Sequence, residues 1–241
     1  MFTETCDGIR IAYDEYVQGK DTCIIIAHGF WNSKGSPLLL KLKDALVKEH
    51  DVIMFDFRGH GKSTGFFTWT AKENNDLNAI LDLFVPRYKK IGVIGFSLGG
   101  SIAINTAAQR TDINSLICIS VPSTFNKIDY KLFSLNFEND IQYSLFSKEG
   151  RQGKGCRPGP FWLNKPCPIK TIEKVKSPVL YVHGEKDWVV GSWHSKELFS
   201  KTKTNKDIYF VKNGLHAEYL LRGDSRELTD RINKWFERTL K

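Results

Sequence analysis

Six short apolar runs, separated by longer stretches with helical spacing, constrain the fold of this 241-residue chain more than any other feature. The runs are four to six residues long, are rich in β-branched and aromatic residues, and cover residues 22–27, 52–55, 91–96, 116–121, 178–182 and 208–211. Strands that are this uniformly apolar are usually buried on both faces, as in a parallel sheet. Their alternation with helices predicts an α/β domain, with helices on both faces of a mostly parallel sheet.

Two segments depart from this alternation. Residues 10–17 look like an edge strand, and a turn signal at residues 6–8 suggests an N-terminal hairpin. More than 50 residues separate the fourth and fifth apolar runs, and connections of that length inside a compact domain are usually lids or binding loops. We therefore predict a single domain over residues 1–241 that carries a cap at residues 123–176.

Composition and cysteine content argue against a membrane span, a disulfide framework and a metal centre. No apolar run approaches the roughly 18 residues that a membrane-spanning helix needs, and residues 1–14 lack the apolar core of a signal peptide. The five cysteines are odd in number and show no C-x-x-C spacing, which favours a reduced, cytoplasmic protein. Cys156 and Cys167 have no companion Cys or His at zinc-ligand spacing, so we predict no metal site.

The net charge of +8 (35 basic minus 27 acidic residues) is unevenly distributed. Residues 123–176 hold ten lysines and arginines against five acidic residues, so this segment alone accounts for +5. A basic balance can indicate nucleic-acid binding, but Lys89-Lys90 is the only adjacent basic pair and no zinc-finger or RNA-binding signature occurs. We therefore interpret the charge as a lysine-rich surface and predict no nucleic-acid partner.

A G-x-S-x-G motif at residues 95–99 follows the third apolar run and opens a helical segment. This is the setting of a nucleophile elbow, in which a strand turns abruptly into a helix and pushes a serine out at the edge of the sheet. The turn needs small neighbours, and Gly95, Gly99 and Gly100 provide them. We therefore predict Ser97 as a nucleophile at a helix N-terminus, where negative charge is favoured.

A serine nucleophile needs a base, and His216 is the predicted one. It follows the last apolar run, in a loop that leads toward the same sheet edge as Ser97. His28 and His183 stand at strand ends before glycines, where packing or loop hydrogen bonding is the commoner role. His50 and His194 look like surface residues of helices.

The acid that orients the base is predicted to be Asp187. Asp187 and Glu185 both follow the run at 178–182, but Asp187 lies further into the loop and Glu185 is interpreted as a surface residue. The resulting chain order is Ser97, Asp187, His216, which is the order expected for an α/β hydrolase.

Acyl transfer also requires donors for the tetrahedral oxyanion. We predict the backbone N–H groups of Leu98, directly after the nucleophile, and of Phe30, in the loop that follows the first apolar run. Aromatic residues in loops at strand ends and in the insertion are predicted to form the walls of an apolar substrate pocket: Trp31, Phe66, Trp162 and Trp188.

Residues 59–63 read GHGKS and resemble the end of a P-loop, a phosphate-binding motif. A Walker A motif would need glycine at position 56, which is Asp56, and a dinucleotide fingerprint starting at Gly59 would need glycine at position 64, which is Thr64. Both motifs fail, and we predict no cofactor.

Taken together, these motifs resemble those of the α/β-hydrolase superfamily over nearly the whole chain outside the insertion. The resemblance rests on HGF at 28–30, DFRGHGKS at 56–63, GFSLGG at 95–100, HGEKD at 183–187, and His216. Within the superfamily, the chain is similar to the branch of serine aminopeptidase-like proteins, monoacylglycerol lipases and cinnamoyl (feruloyl) esterases. The resemblance implies the α/β-hydrolase fold, with a mostly parallel eight-stranded sheet, helices on both faces, a Ser-His-Asp triad, and a small cap after the sixth strand.

The expected activity is hydrolysis of small-molecule carboxylic esters with an apolar or aromatic acyl group, through an acyl-enzyme and without a cofactor. A thioesterase or an amidase/peptidase would use the same triad. A ligand-binding protein that does not hydrolyse, or a lyase or haloperoxidase, would use the same fold. The D-x-x-V-P pattern usual after the acid reads DWVVG at residues 187–191. The oligomeric state stays open, with a homodimer among the options.

Overall fold

A sheet of eight strands forms the centre of the computed structural model, which describes residues 1–125, 142 and 146–240. The strands are β1 Phe2–Glu4, β2 Arg10–Tyr16, β3 Thr22–Ala27, β4 Asp51–Phe55, β5 Lys90–Phe96, β6 Ser115–Ile119, β7 Val179–Gly184 and β8 Lys206–Val211. Their order is β1-β2-β4-β3-β5-β6-β7-β8. Strands β1 and β2 run antiparallel to their neighbours, and all other pairs are parallel. Each of the six apolar runs forms a strand of this sheet, as predicted.

Helices cover both faces of the sheet. They are α1 Pro37–Leu46, α2 Glu73–Phe84, α3 Leu98–Ala107, α4 Lys148–Arg151, α5 Pro168–Thr171, α6 Trp193–Lys201 and α7 Arg226–Thr239. Alternate residues of β3 face opposite cores, so that Ile25 packs on the side of α2 and α3, and Ile24 on the side of α1 and α7. The double covering explains why the central strands are apolar at every position.

The N-terminal hairpin is present, but the prediction that residues 10–17 form an edge strand is wrong. Strand β2 pairs with β4 on one side and with the three-residue strand β1 on the other, so β1 is the edge. The sequence signal was weak because so short a strand has almost no periodicity of its own.

The predicted cap begins after β6, and residues 126–141 and 143–145 of it lie outside the described residues. Residues 155–162, here named the strap, cross the rim of the sheet. The strap is held by backbone hydrogen bonds: Gly155 N to Trp31 O (3.0 Å), Arg157 N to Gly59 O (2.7 Å), Phe67 N to Arg157 O (2.9 Å) and Gly159 N to Phe67 O (2.8 Å). The strap is therefore fixed both to the loop that contains Trp31 and to the loop that contains Gly59 and Phe67.

The parallel strands β3, β5, β6 and β7 all end at the same edge of the sheet, where the strap also lies. Loops that follow these strands are therefore close in space although they are far apart in sequence. Within the described ranges, no helix combines the length and apolar character needed to cross a bilayer. All five cysteines lie in those ranges and carry free thiols.

Candidate active site

The turn between β5 and α3 holds Ser97 in a backbone conformation that side chains rarely adopt. Its φ is 48° and its ψ is −115°, and such strain persists only where the surroundings impose it. A Cβ on Gly95 would lie 2.4 Å from the Cα of Gly100, and a Cβ on Gly100 would lie 2.1 Å from Cγ2 of Val121. Only glycines fit at these two positions. A Cβ on Gly99, the second glycine of the predicted G-x-S-x-G pattern, would lie 2.3 Å from His28 O, so the pattern is sterically required as well.

Three side chains that are far apart in the sequence form one hydrogen-bonded array. His216 Nε2 lies 3.0 Å from Ser97 Oγ, and His216 Nδ1 lies 2.8 Å from Asp187 Oδ2 and 3.0 Å from Asp187 Oδ1. An ionised carboxylate only accepts, so Nδ1–H donates to Asp187 and Nε2 is left to accept the proton of the Ser97 hydroxyl. The array can therefore draw a proton from a serine oxygen.

The Asp187 carboxylate is buried and is fixed by its own loop. The backbone N–H groups of Val189 and Val190 donate to Oδ1 at 3.0 and 2.9 Å. Burial alone would raise the pKa of this carboxyl, but the imidazoles of His216 and His183 outweigh burial and hold the pKa well below its usual range. Glycine at position 191, where the superfamily that the sequence resembles usually has proline, leaves these contacts in place.

His183 is a second imidazole beside the Asp187 carboxylate. Its Nε2 lies 2.7 Å from Val190 O and 3.3 Å from Asp187 Oδ2. The Ser195 hydroxyl lies 2.7 Å from Nδ1. When Ser195 donates to Nδ1, the proton of His183 resides on Nε2 and faces the Asp187 loop. This agrees with the loop-bonding role expected for His183.

The loop that carries His216 is clamped to the ends of two strands. The Ala217 N–H donates to Ser120 Oγ at 3.0 Å, and both residues have positive φ, 49° and 52°. A Cβ on Gly184 would lie 2.3 Å from Leu215 O, so glycine allows the loop to approach β7. Sequence analysis missed Ser120, although a polar residue in an otherwise apolar run is a signal that could have found it.

The loop with the predicted oxyanion donor Phe30 lies directly against the elbow. A Cβ on Gly29 would lie 3.5 Å from Ser97 Cβ, and Phe30, Ser97 and Leu98 line the same cavity. Across the described residues, neither the Phe30 nor the Leu98 amide donates to another protein group. His28 fixes the loop from below, since its Nδ1 lies 2.7 Å from Gly29 O and its Nε2 accepts the Phe57 N–H at 3.0 Å.

All five histidines outside the array are buried. His28 and His60 meet edge to face beneath the oxyanion loop, with ring centroids 5.1 Å apart. The predictions for His50 and His194 are wrong, because both are buried and hydrogen-bonded: Nδ1 of His50 lies 2.6 Å from Thr22 Oγ1, and Nδ1 of His194 lies 2.8 Å from Ser123 Oγ. Helical spacing alone did not show that these two histidines face the interior of the protein.

The His28 and His60 pair predicts a loss of stability on acidification. Burial lowers the pKa of His28 to about 4 and that of His60 to about 3, whereas an unfolded histidine titrates near 6.5. The folded state then binds fewer protons, so the stabilisation is complete above about pH 6.5 and is lost as the pH falls toward 4. We expect the free energy of unfolding to fall by about 2 kcal/mol per pH unit between pH 6 and 5.

Urea unfolding at several pH values measures this slope, and His60→Phe serves as the comparison. Phenylalanine keeps a ring beside Phe30 and Phe67 but cannot take up a proton. The variant is expected to lose about half of the slope. An unchanged slope in this variant would show that other groups cause the acid sensitivity.

A cavity of about 320 Å³ opens beside Ser97 and His216. The predicted pocket residues Trp31 and Trp188 line it, together with four more aromatic side chains, Phe30, Trp69, Phe125 and Tyr219. Phe66 and Trp162 do not line the cavity and are 62% and 73% exposed. Phe67 points into the core, so its neighbour Phe66 faces outward, and Trp162 packs edge to face on Phe161.

One wall of the cavity carries a buried ion pair that the sequence did not indicate. Lys154 Nζ, from the insertion, lies 2.7 Å from Glu218 Oε1, which also accepts from Asn32 Nδ2 at 2.8 Å. Burial would raise the pKa of Glu218, but the Lys154 ammonium lowers it below its usual range. No group of three metal-ligating side chains occurs in the part of the chain that the structure describes.

Comparisons with known proteins agree with this architecture. A family model for the alpha/beta hydrolase fold matches residues 22–134. The chain is 23% identical over 245 residues to the serine hydrolase BPHL of Homo sapiens, covering 90% of this chain and 80% of that protein. It is also 23% identical over 202 residues to the uncharacterized protein YqkD of Bacillus subtilis, of whose length the match spans 63%.

Solved structures match over almost the entire chain. The Pyrococcus furiosus esterase Pf2001 has a TM-score of 0.77 at 22% identity and covers 100% of this chain and 92% of its own. The esterase RhEst1 from Rhodococcus sp. ECU1013 has a TM-score of 0.81 at 15% identity, with 99% and 98% covered. The strand order, the elbow at Ser97, the partial match to the family model and the solved structures lead to one conclusion: the chain has the α/β-hydrolase fold.

Proposed function

We propose that this protein is a serine hydrolase that cleaves carboxylic esters through an acyl-enzyme on Ser97. The observation that carries the proposal is the array of Ser97, His216 and Asp187, which ends at the floor of a largely apolar cavity. The esterases and the serine hydrolase among the similar proteins support the same activity. A half-buried serine with a hydrogen-bonded base and a buried acid has no evident structural purpose at a cavity wall.

The reaction follows from the positions of these atoms. Ser97 Oγ attacks the ester carbonyl carbon while His216 Nε2 takes the hydroxyl proton, and Asp187 stabilises the imidazolium that results. His216 then returns the proton to the leaving alcohol oxygen as the carbon–oxygen bond breaks. In the second half of the reaction, water gives a proton to His216 and attacks the acyl carbon. The bond from Ser97 Oγ to that carbon then breaks, and His216 returns the proton to Ser97 Oγ.

The developing oxyanion is proposed to be held by the N–H groups of Phe30 and Leu98. Each preorganised donor of this kind contributes about 3 to 4 kcal/mol to the stability of the transition state. The positive end of α3, which starts at Leu98, adds to this field. His28 acts here as a positioning residue because it sets the shape of the 28–30 loop.

The substrate is proposed to be a small to medium ester with an apolar or aromatic acyl part. Aromatic side chains dominate the cavity, and Lys154 and Glu218 neutralise each other on its wall. The insertion at residues 123–176 would form the cap over this cavity. With five unpaired thiols, the protein is proposed to work in the reducing cytoplasm.

A fluorophosphonate probe tests the proposed nucleophile. We expect stoichiometric labelling of the folded protein, with the adduct mapped by mass spectrometry to the peptide that contains Ser97, and no labelling after denaturation. Absence of an adduct, or an adduct elsewhere, would favour a binding protein on a hydrolase fold. Turnover of matched nitrophenyl ester, thioester and aminoacyl-anilide substrates then identifies the bond that is cleaved.

A further inference from the structure

Exposed aromatic side chains concentrate at one place on the described surface. Six of the ten large hydrophobic residues that are exposed there lie on the rim loops or in the insertion: Phe30, Trp31, Phe66, Phe146, Phe161 and Trp162. Single exposed hydrophobics are normal on any protein, but a group of large aromatic rings at one site indicates an interaction surface. The N-terminal hairpin holds three of the remaining four.

Four of these rings are connected through the strap. Trp31 O accepts the Gly155 N–H at the start of the strap. Phe66 lies against its middle, where a Cβ on Gly159 would come within 2.8 Å of Phe66 Cβ. Phe161 and Trp162 form its end, with ring centroids 5.5 Å apart. Trp31 also lines the cavity, so the row of rings begins at the cavity entrance.

The charge around these rings is mostly positive. Residues 146–170 contain six lysines and arginines and a single acidic residue. The Arg157 guanidinium donates to Gly65 O at 3.3 Å, which places it beside Phe66, and Lys165 Nζ donates to the carbonyl of Phe161. Arg151 and Lys170 are exposed on either side of the strap. Positive charge therefore accompanies the aromatic row along its length.

We propose that the strap and its flanking basic residues dock the protein on an anionic lipid surface. Tryptophan and phenylalanine rings are stable at the boundary between headgroups and acyl chains, and lysines and arginines bind anionic headgroups. A nucleic acid would also bind cations and rings, but the row here opens into an apolar cavity. A lipid surface supplies apolar molecules at such an entrance, whereas a nucleic acid supplies none.

Vesicle flotation with the full-length protein tests the proposal without depending on the proposed catalytic activity. Extruded vesicles of phosphatidylcholine alone are compared with vesicles that also contain phosphatidylglycerol, at low and high salt. We expect binding to the anionic vesicles, weakened by salt, and little binding to the neutral ones. Equal binding to both, or binding of single-stranded RNA in place of vesicles, would overturn the proposal.

Two variants and one control locate the surface. The double variant Phe161→Ser, Trp162→Ser is expected to bind anionic vesicles at least about tenfold more weakly. Arg151→Gln together with Lys170→Gln is expected to weaken binding about 25-fold, or about fivefold for each charge. Phe2→Ser removes an exposed ring from β1, outside the strap, and should change nothing. An equal loss of vesicle binding in all three variants, or no loss of binding in the first two, would contradict the assigned surface.

Hydrolysis of a water-soluble nitrophenyl ester separates this inference from the proposed function. The strap variants are expected to keep this activity, since Phe161 and Trp162 do not line the cavity. Activity without vesicle binding would leave the esterase proposal standing and refute the docking surface. Vesicle binding without any hydrolysis would leave the docking surface standing and refute the esterase proposal.

Discussion

Asp187→Asn is expected to lower kcat about 10⁴-fold and to leave KM nearly unchanged. The Asp187 carboxylate is buried and does not line the cavity, so its replacement removes no contact with a substrate. Asparagine has almost the same volume, which keeps the loop intact. The loss therefore measures the effect of the carboxylate on the imidazoles beside it, chiefly on His216, which lies 2.8 Å from Oδ2 compared with 3.3 Å for His183.

The loop geometry determines which way the asparagine amide must point. Oδ1 of Asp187 accepts two backbone N–H groups, from Val189 and Val190, so the amide oxygen of asparagine must take that place. The NH₂ group then occupies the place of Oδ2, which is 2.8 Å from His216 Nδ1. Two donors cannot face each other there, so the imidazole must move its proton to Nε2. In that tautomer His216 cannot accept the proton of Ser97.

The matched control is Glu185→Gln, two residues earlier in the same loop. Glu185 is exposed, and among the residues that the structure describes its Oε2 accepts one hydrogen bond, from the Asn213 N–H at 3.3 Å. Steady-state kinetics on one nitrophenyl ester should show less than about a twofold change. If Glu185→Gln lost as much activity as Asp187→Asn, the assignment of the acid would be wrong.

The parts of this protein that could be predicted from sequence are those set by local patterns. The strands are apolar at every position because both faces are covered, and this can be read without knowing their order. The elbow could be read because Gly95 and Gly100 are sterically required on either side of the turn. The place of Asp187 and His216 followed from the rule that loops after parallel strands meet at one edge.

The parts that could not be predicted depend on contacts between distant residues. Phe67 is buried and Phe66 is exposed because their loop turns one side toward the core. The place where the strap crosses this loop determines which side that is. The hydrogen bonds from Ser195 to His183 and from Ala217 to Ser120 depend on two serines that lie in no recognisable motif. Ion pairs between distant segments cannot be predicted from the sequence either, and the pair of Lys154 with Glu218 is an example.

Arg58 is a second buried charge of this kind, and its role is structural. The DFRGHGKS segment contains the GHGKS stretch that resembles the end of a P-loop, and its arginine links three parts of the fold. The guanidinium donates to Asp76 Oδ1 of α2 at 2.8 Å and to both oxygens of Asp7 in the β1–β2 turn at 2.8 Å. The Arg58 backbone N–H also donates to Asp76 Oδ2 at 2.8 Å.

Arg58→Leu is expected to reduce the free energy of unfolding by about 3 to 5 kcal/mol. Asp76 is completely buried, and without the guanidinium its charge has no compensating partner. In a domain of this size the midpoint of thermal unfolding should fall by about 10 °C. Urea and thermal unfolding of the same samples measure both quantities.

Two further variants separate loss of the ion pair from loss of side-chain volume. Asp76→Asn added to Arg58→Leu removes the unpaired charge and should recover part of the stability, whereas it would recover nothing if the leucine merely packed badly. Arg87→Leu breaks the half-exposed pair of Arg87 with Glu15 at 3.4 Å and should cost less than about 1 kcal/mol. Equal effects at positions 58 and 87 would mean that burial does not govern these ion pairs. The expected difference follows because water can solvate Glu15 after its partner is removed, whereas it cannot reach Asp76.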